Sequence, residues 1–128
     1  MKKKEIYKCS ECADYVEVIG TGGCECEINC CGKPMKLMDE KTKDGAGEKH
    51  MPVVEEKDGG IFVKVGEVPH PMEKDHYIMV IEVITKDGYV IRKELNPGEA
   101  AEAGFNVAAS NVESVREVCN KHGVWAKQ

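Results

Sequence analysis

Near the end of the chain, Cys119 stands three positions before His122, a spacing at which one turn offers a thiolate and an imidazole to the same ion. Cys119 is the only cysteine beyond residue 31, and the other histidines are His50, His70 and His76. Taken singly, a histidine is usually surface or satisfied core. Their positions argue otherwise. His70 lies between Pro69 and Pro71, His76 opens one expected strand, His50 precedes another, and Cys119 and His122 follow a third. All five sit at strand ends, where a sandwich gathers its loops, and are expected to meet at one metal. Nitrogen donors with one thiolate suit iron, copper or zinc rather than magnesium or calcium. Four imidazoles and a thiolate exceed what tetrahedral zinc takes, so a five-coordinate redox iron with an open sixth position fits best. A thiolate opposite that position pushes electron density toward whatever binds there.

A second set lies at the start. Cys9 and Cys12 form a C-x2-C knuckle, and Cys30 and Cys31 stand side by side after seventeen intervening residues. Four thiolates suit a tetrahedral zinc or iron, and such a shell can fold a small segment. Adjacent cysteines strain that tetrahedron. Cys24 and Cys26 leave alternatives open: they replace the later pair, remain free thiols, or form a labile disulfide.

Glu48 and Lys49 immediately precede His50. By sequence alone they read as a solvated charge pair. Beside a metal, the lysine would attract a small anion and the carboxylate could fill a vacant position. Lys74 is a weaker candidate for steering. Trp125 and the six methionines are assigned to packing.

The elements that must position these residues are mostly strands. Candidates are Met51 to Glu55, Ile61 to Val65, His76 to Thr85, Tyr89 to Leu95, Gly104 to Ala108 and Val112 to Val118, rich in Val, Ile and Tyr. KDGG at 57–60 and KDG at 86–88 signal hairpins. Short strands at this spacing predict an antiparallel sandwich or barrel, with at most one helical turn at Asn96 to Glu102. The first 38 residues read as a small, loop-rich β module whose few apolar residues require a metal staple. The polar stretch 39–47 reads as a linker, and residues 48–128 as the second domain. Clustered cysteines in a chain with no apolar run of spanning length or signal core point to a metal protein of the cytoplasm, with no membrane role. A net charge of −5 argues against nucleic acid as a partner.

The motifs YKCSEC and CCGKPMKLM resemble the desulforedoxin-type iron module. GEKHMPVVE, VKVGEVPHPMEKDHYI, NPGEAAEAGF and VREVCNKHGVW resemble the catalytic domain of the desulfoferrodoxins, two-iron superoxide reductases. The likeness runs along nearly the whole chain. It implies an all-β protein: a desulforedoxin-like module followed by an immunoglobulin-like antiparallel β-sandwich, paired as a homodimer. It implies that His50, His70, His76 and His122 are equatorial ligands of a catalytic Fe2+/Fe3+ ion, with Cys119 axial. Glu48 would close the sixth position in the resting ferric form, and Lys49 would draw in superoxide and assist protonation. Cys9, Cys12, Cys30 and Cys31 would hold a second iron, or zinc, that the reaction does not require. The implied activity is one-electron reduction of superoxide to hydrogen peroxide, in defence against oxidative stress, with a rubredoxin-like electron donor. Cys24, Cys26 and a slightly long loop before Cys30 depart from the family pattern. The rival reading is a non-catalytic iron-binding electron-transfer module.

Overall fold

The computed structural model describes residues 1–42 and 49–127. Residues 43–47 of the expected linker, and Glu48, lie outside the described residues. The chain divides into two compact units, Met1–Asp39 and Glu40–Gln128.

In the first unit, β1 (Ile6–Lys8) pairs with β2 (Tyr15–Glu17) and later with β5 (Lys36–Leu37), giving a three-stranded sheet in the order β2-β1-β5. A separate ribbon joins β3 (Asn29–Cys30) to β4 (Lys33–Pro34). Its buried apolar residues are Ile6, Cys9, Val18 and Met35. So small a core stabilises little by itself, which is why the cysteines matter to the fold.

The second unit is the expected sandwich. One sheet runs β10-β7-β6, from β6 (Pro52–Lys57), β7 (Gly60–Val65) and β10 (Glu102–Phe105). The other runs β12-β11-β8-β9, from β8 (Ile78–Thr85), β9 (Val90–Glu94), β11 (Val112–Cys119) and β12 (Gly123–Lys127). Three strands over four, all antiparallel, is the strand count of an immunoglobulin constant-type sandwich. Inward alternation on both sheets builds the core: Ile61, Val63 and Val65 on β7 face Ile81, Val83 and Val115, and Cys119 is packed in the same cluster. The first hairpin turns at Asp58 and Gly59, both with positive φ (53° and 80°), the geometry a two-residue turn requires.

Three local expectations differ from the structure. Residues 96–102 form a hydrogen-bonded turn rather than helix, because Gly98 takes a positive φ of 90° and its N–H reaches across to Met72 O. A single 3-10 turn occurs instead at Ala109–Asn111. The seventh strand, β12, was not expected: its five residues begin on a glycine and are too few to display a period. Lys41, in the expected linker, lies along β12, donating its N–H to Val124 O and accepting from Ala126 N–H, both at 2.9 Å.

Charge also enters the second sheet. Glu82 on β8 stands directly opposite Arg116 on β11 and Arg92 on β9, and its two carboxylate oxygens accept from Arg116 Nε and Arg92 Nε, each at 2.7 Å. Glu82 and Arg116 are each 1% exposed, so solvent does not screen them. Glu82→Ala therefore removes a buried carboxylate from a buried guanidinium and should cost about 3–5 kcal/mol, read from urea unfolding. Arg92→Ala, at the half-exposed end, should cost under about 1 kcal/mol. Equal losses would contradict this division.

Candidate metal centres

In the first unit the sulfurs of Cys9, Cys12, Cys30 and Cys31 gather within 4.8 Å of one another. A tetrahedron with metal–sulfur bonds of about 2.3 Å has edges of about 3.8 Å. The Cys12–Cys30 and Cys30–Cys31 sulfur separations, 3.6 and 4.0 Å, straddle that length. The strain expected of adjacent cysteines is met by the backbone: Cys31 takes φ 53° and Gly32 φ 76°, a left-handed pair that turns the two side chains to one centre. In the knuckle, the N–H groups of Cys12 and Glu11 point at Cys9 Sγ and lower its pKa to about 6. Cys30 is pushed the other way, first by the Cys9 and Cys12 sulfurs beside it. Four crowded sulfurs cannot all be thiolates without a cation among them.

The second unit brings His50, His70, His76, Cys119 and His122 together from four separate segments, again within 4.8 Å. The four imidazoles close a ring. Successive centroids (50 to 70, 70 to 76, 76 to 122, 122 to 50) are 4.8–4.9 Å apart, with neighbouring planes at 69° to 87°. His50 Nε2 and His76 Nε2 lie 2.9 and 3.2 Å from His122 Nδ1. Donors at about 2.1 Å from a shared ion, set at right angles, are separated by about 3.0 Å. Cys119 Sγ is 3.8 Å from His122 Nδ1 and within 4.8 Å of every other donor. A fifth atom that close to all four corners cannot lie beside the square, so the thiol sits off its plane.

Neighbouring groups fix this arrangement. His70 Nδ1 is 2.7 Å from Pro71 O, an orientation that leaves its Nε2 buried with no protein partner. Burial holds the His70 pKa down to about 4, so the ring is neutral at pH 7 and its lone pair is available. Asn120 joins the loop of Cys119 and His122 to the segment of His76: its side chain accepts from Tyr77 N–H at 2.9 Å and donates to Asp75 O at 3.0 Å. Trp125 is packing, as expected, but its packing partner is His50, stacked at 4.5 Å and 15°. Its Nε1–H donates to His122 O at 3.1 Å. Lys41, which sequence reasoning missed, donates to the same carbonyl at 2.9 Å and lies 4.9 Å from the indole centroid. Nothing local flags it, because 81 positions separate the two residues.

The donors differ in exposure. Cys119 is 0% exposed and belongs to the core, whereas His122 is exposed and His76 half-buried. Lys49 and Lys74 are exposed. Buried imidazole nitrogen beside a thiol fits iron, copper or zinc, and the donor count favours iron over tetrahedral zinc.

A sandwich bearing four imidazoles over one buried thiol defines a mononuclear, thiolate-ligated non-haem iron protein. The sequence matches the Desulfoferrodoxin family model over residues 42–128. It is 50% identical over 121 residues to a desulfoferrodoxin homolog of Archaeoglobus fulgidus, covering 94% of each chain. With the desulfoferrodoxin of Nitratidesulfovibrio vulgaris it shares 51% over 121 residues, covering 94% of this chain and 93% of that one. The crystal structure of the superoxide reductase from Treponema pallidum superposes with a TM-score of 0.77 at 31% identity, covering 97% of both chains. The chain belongs to the desulfoferrodoxin family, and its His4Cys and four-cysteine clusters match the two iron sites of that family.

Gly66 holds the approach to His50. Its φ is +84°, and a Cβ there would meet Val68 O and lie 2.6 Å from Lys49 O. Gly66→Ala should therefore cost about 1–3 kcal/mol and speed iron loss to a chelator, because the segment carrying His50 must move. Gly88→Ala is the control: φ is +97° with open space around it, so it should lose stability without faster iron release. Equal iron retention in both variants would contradict this role.

Proposed function

We propose that this chain is a superoxide reductase that takes superoxide, one electron and two protons to hydrogen peroxide. The observation that carries this reading is the asymmetry of the imidazole ring, with a buried thiol on one side and solvent-exposed His122 at its edge. Bound iron supplies the electron and an open position for a small anion. A module that only passes electrons has no need of such an open side.

The chain's own residues do the rest. Cys119 would hold the iron together with the four imidazoles, and its thiolate would supply electron density that favours reduction of a bound anion. Four imidazole donors surround the centre without adding negative charge to repel an anion. Lys49, exposed and next to His50, offers positive charge to superoxide in a chain of net charge −5, and a proton donor to the product. Lys41, held beside His122, adds a second cation close by, with Lys74 farther along the chain. We assign Glu48, adjacent in sequence to Lys49, the closing of the open position in the resting oxidised form. Residues 1–38 are the electron-handling domain and 48–128 the catalytic domain, joined through 39–47, of which Lys41 already pairs with β12 of the second unit. Cys9, Cys12, Cys30 and Cys31 hold the second iron, which a rubredoxin-like carrier can reduce but which the reaction does not require. Homodimerisation through the first unit is supported by Val16 and Leu37, half-exposed on either side of Tyr7. Clustered thiols suit the reducing cytoplasm.

The test is anaerobic rapid mixing of the reduced, iron-loaded protein with superoxide, measuring peroxide and oxygen together. Peroxide without oxygen is expected. Oxygen alongside peroxide would mean dismutation, and no oxidation would leave an electron-transfer module. Lys49→Ala should slow capture roughly tenfold and flatten its salt dependence. Cys119→Ser should abolish the ferric-thiolate absorption. A retained band would reassign the axial donor.

A further inference from the structure

The four-cysteine cluster leaves two cysteines of the first unit over. Cys24 and Cys26 are exposed, lie between β2 and β3, and are joined to each other as a disulfide with Cα atoms 5.4 Å apart. Cys9, Cys12, Cys30 and Cys31 are free of disulfides and complete a four-donor group without them. A structural disulfide acts by closing a long loop or tying distant elements. This one encloses only Glu25 and joins no two strands, so its removal costs the fold little. Disulfides of that kind, open to solvent, are the ones that are made and broken.

We propose that Cys24 and Cys26 form a redox-active dithiol/disulfide pair whose oxidant is hydrogen peroxide. The source of peroxide rests on the reductase reading above, while the chemistry of the pair does not. One thiolate attacks a peroxide oxygen: an S–O bond forms, the O–O bond breaks, and the departing hydroxide takes a proton to become water. The sulfenic acid is then attacked by the second sulfur: the S–S bond forms, the S–O bond breaks, and a second water leaves. The two sulfurs lose two electrons and peroxide gains them. A dithiol reductant returns both electrons and becomes a disulfide itself. The spacing suits the second step, since a sulfur two positions away traps sulfenic acid before it advances to sulfinic acid. Charge suits the oxidant. Exposed Glu25 and Glu27 flank the sulfurs and repel anionic superoxide, but they do not exclude neutral peroxide.

The experiment uses the iron-loaded full chain, treated with dithiothreitol under anaerobic conditions, desalted, exposed to peroxide and quenched with iodoacetamide. Mass mapping of the Cys24–Cys26 peptide reads the pair directly, whatever the iron does. The expected result is a doubly alkylated peptide before peroxide and an unalkylated one, lighter by two hydrogens, after it, restored by dithiothreitol. Cys24→Ser should leave Cys26 as a sulfenic acid that dimedone labels. Superoxide in place of peroxide should oxidise the pair unless catalase is present. A pair that stays alkylatable under added peroxide, or resists dithiothreitol, overturns the proposal. So does a loss of four-cysteine iron absorption in the Cys24→Ser/Cys26→Ser double variant, which would make the pair ligands. Peroxide formed from superoxide at half an equivalent with release of oxygen, the yield of dismutation, would instead count against the reductase reading and leave the pair's oxidation by added peroxide standing.

Discussion

Five donor atoms drawn from distant parts of one chain share a space in which all lie within 4.8 Å, and one shared cation would engage all of them at once. Without one, ring nitrogens face each other at 2.9 and 3.2 Å, and a further nitrogen, His70 Nε2, is buried with no protein partner. With one, the same distances are those of a square of imidazoles around an ion. Much of the second unit serves that convergence. The thiol comes from the last residue of β11, His122 from the turn into β12, His76 from just before β8, and His50 from just before β6.

The rigidity needed comes from the sheet beneath. β11 pairs along its length with β8, and the Glu82–Arg116 bond locks that register across the strands. Asn120 then ties the loop beyond β11 to the backbone before β8, so Cys119, His122 and His76 move as one body. The stack of Trp125 on His50, with both Trp125 and Lys41 donating to His122 O, joins the His50 segment to the same body. Ligands held this way keep the thiol inside the core and the His122 edge of the ring toward solvent. That difference in exposure is what separates a site that can take a small anion from one that only stores a metal.

Much of this was legible in the sequence because cysteine and histidine declare their chemistry by type. The histidine–cysteine cluster assembles from the residues singled out by type and position, the four-cysteine cluster takes the later pair that the family resemblance implied over Cys24 and Cys26, and the Asp58–Gly59 turn forms where KDGG placed it. What escaped has physical reasons. β12 is short and shows no period, and the left-handed backbone at Cys31 is unusual for a side-chain-bearing residue, so nothing nearby announced it. The buried Glu82–Arg116 pair looks in sequence like two ordinary surface charges. Lys41 was read as linker because its partners lie in β12 and in the His122 turn, a long-range pairing that local pattern cannot carry.

The account turns on one ion held by five named atoms with its solvent side open. Anomalous diffraction at the iron edge from crystals of the reduced protein tests this most directly. The account predicts an iron peak in the second unit within about 2.0–2.4 Å of His50 Nε2, His70 Nε2, His76 Nε2, His122 Nδ1 and Cys119 Sγ, with no protein atom opposite the sulfur. An iron bound by fewer of these atoms, or capped on its outer side by a protein group in the reduced state, would contradict it.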